Sequence, residues 1–186
     1  MKMRHFCSLA LLAISAMFMI GCDKEEPVNP QTPDTPSTPT AKAPVAVFFS
    51  YGFSVTDSMA MVANFAIEYY DENGKLQTEQ LSGTSWQKQV TAKLPAKVGT
   101  RVTASVKEGV DLTAIDVIKI VRTYHNKRYL IDEDGNRVGL EMPGGNTNTS
   151  YCTGVQLPDL LAKRAFLQSL YTYDAEGNET FHTEWE

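Results

Sequence analysis

The chain has 186 residues, with 17 Lys and Arg against 22 Asp and Glu and a formal net charge of −5. This acidic balance argues against nucleic acid or an anionic surface as partner. With only three cysteines and three histidines, neither a disulfide scaffold nor a multi-histidine metal centre is expected.

Met1-Lys2-Met3-Arg4 places two cations ahead of an apolar stretch from Phe6 to Ile20 that is broken only by two serines. A charged start and a short apolar core make a secretory signal. A bilayer-spanning helix needs more, about 20 apolar residues. The stretch ends in Met19-Ile20-Gly21-Cys22, which resembles the lipobox of lipoprotein signal peptides, where a small residue precedes a cysteine that receives diacylglycerol on its sulfur before cleavage. Met19 stands where a lipobox usually has Leu, with similar volume and polarity. The resemblance implies cleavage after Gly21, removal of residues 1–21, and membrane lipid held through acylated Cys22. Each buried CH₂ contributes about 0.8 kcal/mol, so several acyl chains hold essentially permanently. Loss of Lys2 and Arg4 would leave 15 cations against 22 acids, a charge of −7.

Asp23-Lys24-Glu25-Glu26 resembles the acidic export tag of Bacteroidetes-type lipoproteins, which implies an outer-membrane, cell-surface-exposed location. Pro27, Pro30, Pro33, Pro36 and Pro39 then recur every third residue, the period of a polyproline II helix. At about 3.1 Å per residue the tract could extend about 60 Å. It has almost nothing apolar with which to fold. Residues 22–43 therefore read as lipidated Cys plus Pro-rich spacer, and residues 44–186 as one globular domain.

Strands dominate that domain. Phe65, Ile67 and Tyr69 share one side of a run whose other side is Asn64, Ala66 and Glu68, and residues 101–107 alternate in the same way. Trp86, Val90, Ala92 and Leu94 share a parity that only Lys88 breaks, and Pro95 ends the run. Val45 to Phe49 opens the domain with β-branched and aromatic residues. Three related phrases separate apolar runs: residues 70–75, 131–136 and 173–178, each with Asp in second place and Gly three residues later. Gly supplies a positive φ and Asp a side-chain turn bond, so each phrase reads as a hairpin tip. Calcium is the alternative at Asp132, Asp134 and Asn136, but the loop lacks Glu at the twelfth position. Three copies with different acid counts favour repeated turn geometry.

Residues 111–124 place Leu112, Ile115 and Ile118 at helical spacing, with Thr113 and Asp116 resembling a capping pair. The β-branched run that follows predicts one helical turn and then a strand to Ile131. Pro158 to Ala162 can open a short helix with Pro in its first turn, before a strand from Ala165 to Tyr173. Met142 to Ser150, polar and Gly-rich, reads as a long flexible loop. Asp57-Ser58-Met59 reads as a surface turn and resembles a Bacteroidetes-type O-glycosylation acceptor. About seven strands with hairpin signals predict a mainly all-β fold, an immunoglobulin-like or related two-layer β-sandwich with one or two short helical turns. Anchor, acidic tag, Pro spacer and strand-rich domain together resemble small Bacteroidetes-type surface lipoproteins, an architecture that brings no catalytic residues with it.

Chemistry is sparse. Cys152 is the one cysteine left beyond the anchor and reads as a small buried apolar residue. His125 and His182 lie apart, and nothing resembles a nucleophile elbow or a nucleotide-binding glycine loop. No catalytic residue, metal or cofactor is expected. The aromatic content exceeds what one small core needs, and Tyr70 and Trp185 are the candidate exposed rings for stacking a ligand. The leading expectation is a non-enzymatic binding module for glycan or a surface protein. The alternatives are a structural or assembly accessory of an outer-membrane or fimbria-like complex, and a carboxylate-based hydrolase.

Overall fold

The structure, a computed structural model, describes residues 42–162 and 167–185; Gly21, Cys22, the acidic tag and the Pro-rich tract lie outside them. The described residues form β1 (Ala46–Val55), α1 (Asp57–Val62), β2 (Ala63–Tyr70), β3 (Leu76–Gln80), β4 (Ser85–Lys93), β5 (Ala96–Val106), β6 (Ile118–Ile131), β7 (Arg137–Cys152), α2 (Leu157–Ala162), β8 (Leu167–Tyr173) and β9 (Glu179–His182). Single 3₁₀ turns occupy Leu112–Ala114 and Gly154–Gln156. The strands make two antiparallel sheets, ordered β4-β1-β6-β7 and β3-β2-β5-β8-β9. The all-β, two-layer sandwich expected from period-two patterning is the observed fold. Among the described residues no helix is long and apolar enough to cross a membrane.

Three Asp-to-Gly phrases determine which strands stay together. Asp71 Oδ1 accepts the amides of Asn73 and Lys75, both at 2.9 Å. Asp132 Oδ1 does the same for Asp134 and Asn136 at 3.0 and 2.8 Å, and Asp174 Oδ1 for Glu176 and Asn178 at 3.0 and 2.8 Å. The glycine of each turn has φ of +70°, +83° or +85°, where a Cβ is unfavourable. These turns join β2 to β3, β6 to β7 and β8 to β9, and every other connection passes between the sheets. Hydrogen bonds hold Asp71 and Asp174 below the usual carboxylate range, the Lys75 backbone amide foremost for Asp71 and the Asn178 side chain foremost for Asp174. Burial pushes Asp132 up, yet its bonds to Asn136 and Asp134 outweigh that and hold it down. The carboxylates are spent on their own turns, and no metal-ligating cluster of His, Cys, Asp or Glu occurs among the described residues.

The inward parity of β1 supplies Val47, Phe49, Tyr51, Phe53 and Val55, all buried. Phe53 packs with Met59, Phe65, Ile67, Val102 and Ile120 at one end of the sandwich. Phe49 and Tyr51 pack with Tyr69, Val98, Tyr171 and Tyr173 at the other. Each large apolar side chain so buried contributes about 1.5–3 kcal/mol. Tyr51 keeps its phenol satisfied inside this core: its oxygen accepts the Gly99 amide at 2.9 Å and its hydroxyl donates to the Tyr70 carbonyl at 3.4 Å. Cys152 is buried among apolar neighbours, as expected, and burial pushes its thiol up.

Three local expectations are corrected. Met142 to Ser150 is not a loop but the middle of β7, paired along β6 from Ile118↔Cys152 to Ile131↔Arg137 with one irregularity beside Arg128. A long β-branched neighbour supplies the template, and an edge strand tolerates Pro143 because one side of it needs no ladder donor. Gly145, at φ +143°, brings the chain to where a Cβ would sit 2.3 Å from the Tyr124 carbonyl. The 3₁₀ turn before β6 is capped by Asp111, which accepts the Thr113 amide at 3.0 Å, not by Thr113 itself. Asp57-Ser58-Met59 forms the first turn of α1 with Met59 fully buried.

Candidate binding surface and cleft

Tyr70 and Trp185 come together, but not as two free platforms. Tyr70 points to the outer side of its sheet, opposite in parity to Tyr69, yet is only 7% exposed. The half-buried Trp185 ring lies 5.4 Å from it and the Lys97 ammonium 4.9 Å from its centroid. Arg101 in turn sits 5.3 Å over Trp185 while bonding Glu68 at 2.5 Å. The expectation of an exposed Tyr70 is thus corrected. Strand parity gave its side correctly, but the C-terminal segment covers that side, which no local pattern discloses.

The more open aromatic surface is the outer face of the four-stranded sheet. Phe48 and Tyr129 are cross-strand partners with ring centroids 4.7 Å apart and planes 16° apart. Farther along the same face, one row across the four strands reads Gln87, Gly52, His125, Gly145. The exposed His125 ring lies across Gly52, where a Cβ would fall 2.0 Å from its Cε1 and Nε2 atoms. The missing side chain at Gly52 gives the imidazole room to lie over β1, and this glycine-flanked stretch of the open face is called the trough below. Hydroxyl and amide side chains border the trough. Ser50 and Ser54 share the outward parity of β1, Gln89 that of β4, and Thr123 and Thr147 share a hydrogen bond at 3.0 Å. Lys127, on the same face, pairs with Glu141 at 3.0 Å.

Between the sheets, β6 departs from apolar patterning. Its inward parity continues from Ile118 and Ile120 into Arg122, Tyr124, Asn126 and Arg128. Tyr124 and Ser169 share a hydrogen bond at 2.7 Å, and Asn126 donates to the Tyr124 oxygen. Arg128 donates to Asn126 at 3.2 Å and grips Glu179 at two points, 2.7 and 2.9 Å, with its guanidinium 4.3 Å over Tyr171. Tyr173 donates to the same carboxylate. Burial pushes Glu179 up, but Arg128 and Tyr173 outweigh it and hold the carboxyl below its usual range. A second clamp surrounds Glu79, which accepts Tyr69 Oη at 2.7 Å, Trp86 Nε1 at 2.7 Å and Lys88 Nζ at 3.0 Å and is held down to about 2, Tyr69 contributing most. The clamp accounts for the Lys88 that breaks the β4 pattern: its ammonium reaches Glu79 while lying 5.0 Å from the Tyr69 ring centroid.

Beside the β6 network a cleft of about 120 Å³ is lined by Phe53, Arg122, Tyr124, Asn146, Asn148 and Leu167. Register explains it. Arg122 faces Asn148 and Tyr124 faces Asn146 across the β6–β7 ladder. On the opposing sheet Leu167 pairs with Val102 of β5, and among the described residues β9 pairs with Leu170 to Tyr173 of β8. The alternating Asn146-Thr147-Asn148-Thr149 is the period-two signal that could have located this wall, hidden by a composition typical of loops.

Carboxylates with displaced titration, namely Asp71, Glu79, Asp111, Asp132, Asp174 and Glu179, are all held down by hydrogen bonds. Such groups hold charge in place; a general acid at neutral pH needs the opposite shift. The chain matches no protein-family model, no curated protein and no solved structure.

Proposed function

We propose that this chain is a lipid-anchored outer-membrane surface protein whose β-sandwich is a non-enzymatic glycan-binding module, carried on the Pro-rich spacer and held through acylated Cys22. The observation that carries the glycan reading is the trough on the outer face of the four-stranded sheet, with His125 across Gly52, Gly145 beside it and Phe48 stacked on Tyr129. A flat ring favours the C–H face of a sugar, and bordering hydroxyls and amides match its hydroxyls. An open trough suits a polymer lying along a sheet better than a small molecule, which needs a concave pocket. The anchor reading rests on Met19-Ile20-Gly21-Cys22 and its charged, apolar lead-in.

A protein-assembly role is the second reading. Val117, Tyr151 and Val155 are 66%, 63% and 69% exposed where β6 begins and β7 ends, and β7 is an edge strand. Exposed apolar side chains and an open edge both favour protein contacts. A polysaccharide array probed with the full chain decides between the two: saturable binding to a polysaccharide supports the glycan module, and a blank array rejects it. Metabolic labelling with an alkyne fatty acid tests the anchor. Label should enter the wild type and be lost in Cys22→Ser, and label retained in that variant overturns the lipobox reading.

A further inference from the structure

The outer face of the four-stranded sheet is charged opposite to the chain as a whole. Asp and Glu outnumber Lys and Arg by 22 to 17 in the sequence. On the outward parity of β4, β1, β6 and β7, however, the described charged side chains are Lys93, Lys119, Lys127, Arg137 and a single carboxylate, Glu141. Glu141 bonds Lys127 at 3.0 Å and Arg137 at 3.4 Å, so it neutralises one charge of that pair. Lys93 and Lys119 are exposed, and neither ammonium bonds a described carboxylate. Register fixes their places. Lys93 and Arg137 end one row across the sheet, with Ala46 and Ile131 between them. Lys127 stands on β6 between His125 and Tyr129, its ammonium 5.9 Å from the Tyr129 ring centroid. Lys119 lies beyond His125 towards the start of β6, opposite Tyr151. A strand advances about 3.4 Å per residue, so the rows from Lys119 to Ile131 span about 40 Å with the trough between them.

We propose that the polymer lying on this face is an acidic polysaccharide of low charge density, bearing carboxylate or sulfate groups. The inference rests on the glycan reading of the trough and names the class of glycan. Lys127 and Arg137 converge only on Glu141, and Lys93 and Lys119 stand at opposite ends of the face, so no pocket for one small anion is built. A polymer running along β6 meets a free ammonium towards either end and an excess of positive charge in the middle. Between those points the His125 ring and the bordering hydroxyls and amides suit its sugar rings. Nucleic acid is a poorer match, because a duplex carries a charge about every 1.7 Å of its length and the uncompensated cations here are sparse. The whole-chain balance that argues against an anionic surface averages over this segregation. Acidic groups elsewhere act weakly on the face, since charges beyond about 8 Å are screened at physiological salt. The acidic β6–β7 turn at the Arg137 end is itself engaged by Lys42, which bonds Glu133 at 2.8 Å and Asp134 at 2.6 Å.

The test is an array of polysaccharides in matched pairs, each acidic polymer beside its carboxyl-reduced or desulfated form, probed with the full-length chain in detergent. The polymers bound should be acidic, with the neutral partner at least about tenfold weaker. Whichever of carboxyl reduction and desulfation abolishes binding identifies the anionic group. Affinity should fall as sodium chloride is raised. A chain carrying both Lys93→Gln and Lys119→Gln should bind the acidic polymer about three- to tenfold more weakly, the loss of two exposed ionic contacts. Its salt dependence should be shallower and its affinity for the neutral form unchanged. Lys75→Gln, at the β2–β3 turn, removes a charge from another surface and should leave affinity as it is. Should the double variant fail to fold by circular dichroism, the acidic-against-neutral comparison in the wild type decides. Neutral forms bound as tightly as acidic ones, poly(dT) bound as tightly as the best acidic polysaccharide, or a folded double variant with wild-type affinity and salt dependence overturns the proposal. Saturable binding confined to neutral polysaccharides removes this charge reading alone and leaves the trough standing, whereas a blank array removes both.

Discussion

Arg128 on β6 and Glu179 on β9 clasp the two sheets together: Nε lies 2.7 Å from Oε2 and Nη2 lies 2.9 Å from Oε1. The pair is largely shielded, with 12% and 22% of the two side chains exposed. Removing one partner leaves the other desolvated and unpaired, which for a fully buried pair costs about 3–5 kcal/mol. With the remaining exposure of Glu179, Arg128→Met should cost about 2–3 kcal/mol in urea unfolding at neutral pH. Lys127, whose pair with Glu141 leaves the side chains 49% and 33% exposed, is the control. Lys127→Met should change stability by less than about 1 kcal/mol. Equal losses would mean that the clasp is not a stabilising link.

Glu79 gives the fold an acid-sensitive contact. Its carboxyl falls from 4.5 to about 2, held by Tyr69, Trp86 and Lys88. A carboxylate whose folded-state pKa is depressed stabilises the fold above the unfolded value, and that contribution disappears as pH falls through the folded value. Stability from Glu79 should thus be complete above about pH 5 and fade between about pH 4.5 and 2. Denaturant unfolding followed across that window should show a shallower pH dependence in Glu79→Gln than in wild type. Some slope should remain, because Glu179 and the hairpin aspartates are also held down. An unchanged slope would remove Glu79 as a contributor.

Hairpin glycines with the same backbone should differ in sensitivity. Gly135 and Gly177 have φ of +83° and +85°, so an alanine at either meets the left-handed penalty of about 1–2 kcal/mol. A Cβ at Gly135 meets nothing within 4 Å, whereas at Gly177 it would fall 2.9 Å from Pro44 Cγ and 3.0 Å from Leu130 Cδ1. Thermal melting should therefore place Gly177→Ala clearly below Gly135→Ala, and the reverse order would contradict this packing.

Local chemistry carried most of the fold. Alternation in residues 64–69 and 101–107 identified β2 and β5, and the three Asp-to-Gly phrases identified the three hairpins that stay within a sheet. What escaped was non-local. β7 is a strand because β6 pairs with it over 13 residue pairs, although the Pro, Gly and Asn residues from Pro143 to Asn148 have little preference for extended structure. Tyr70 is covered by Trp185, more than a hundred residues away in the chain, and Lys88 breaks a pattern to reach Glu79. The trough was equally hidden, because Gly52, His125 and Gly145 become neighbours only once three strands are in register.

Affinity of the full-length chain for an array-selected polysaccharide, compared with that of Gly52→Val, tests glycan recognition by the trough most directly. A valine at residue 52 places its Cβ in the space the His125 ring occupies while suiting an extended backbone. The variant should fold as the wild type does and bind at least about tenfold more weakly, the loss of one stacking platform. His125→Ala provides the same reading without altering β1 and should show the same loss. Wild-type affinity in both folded variants, or no polysaccharide bound by the wild type, would contradict the assignment.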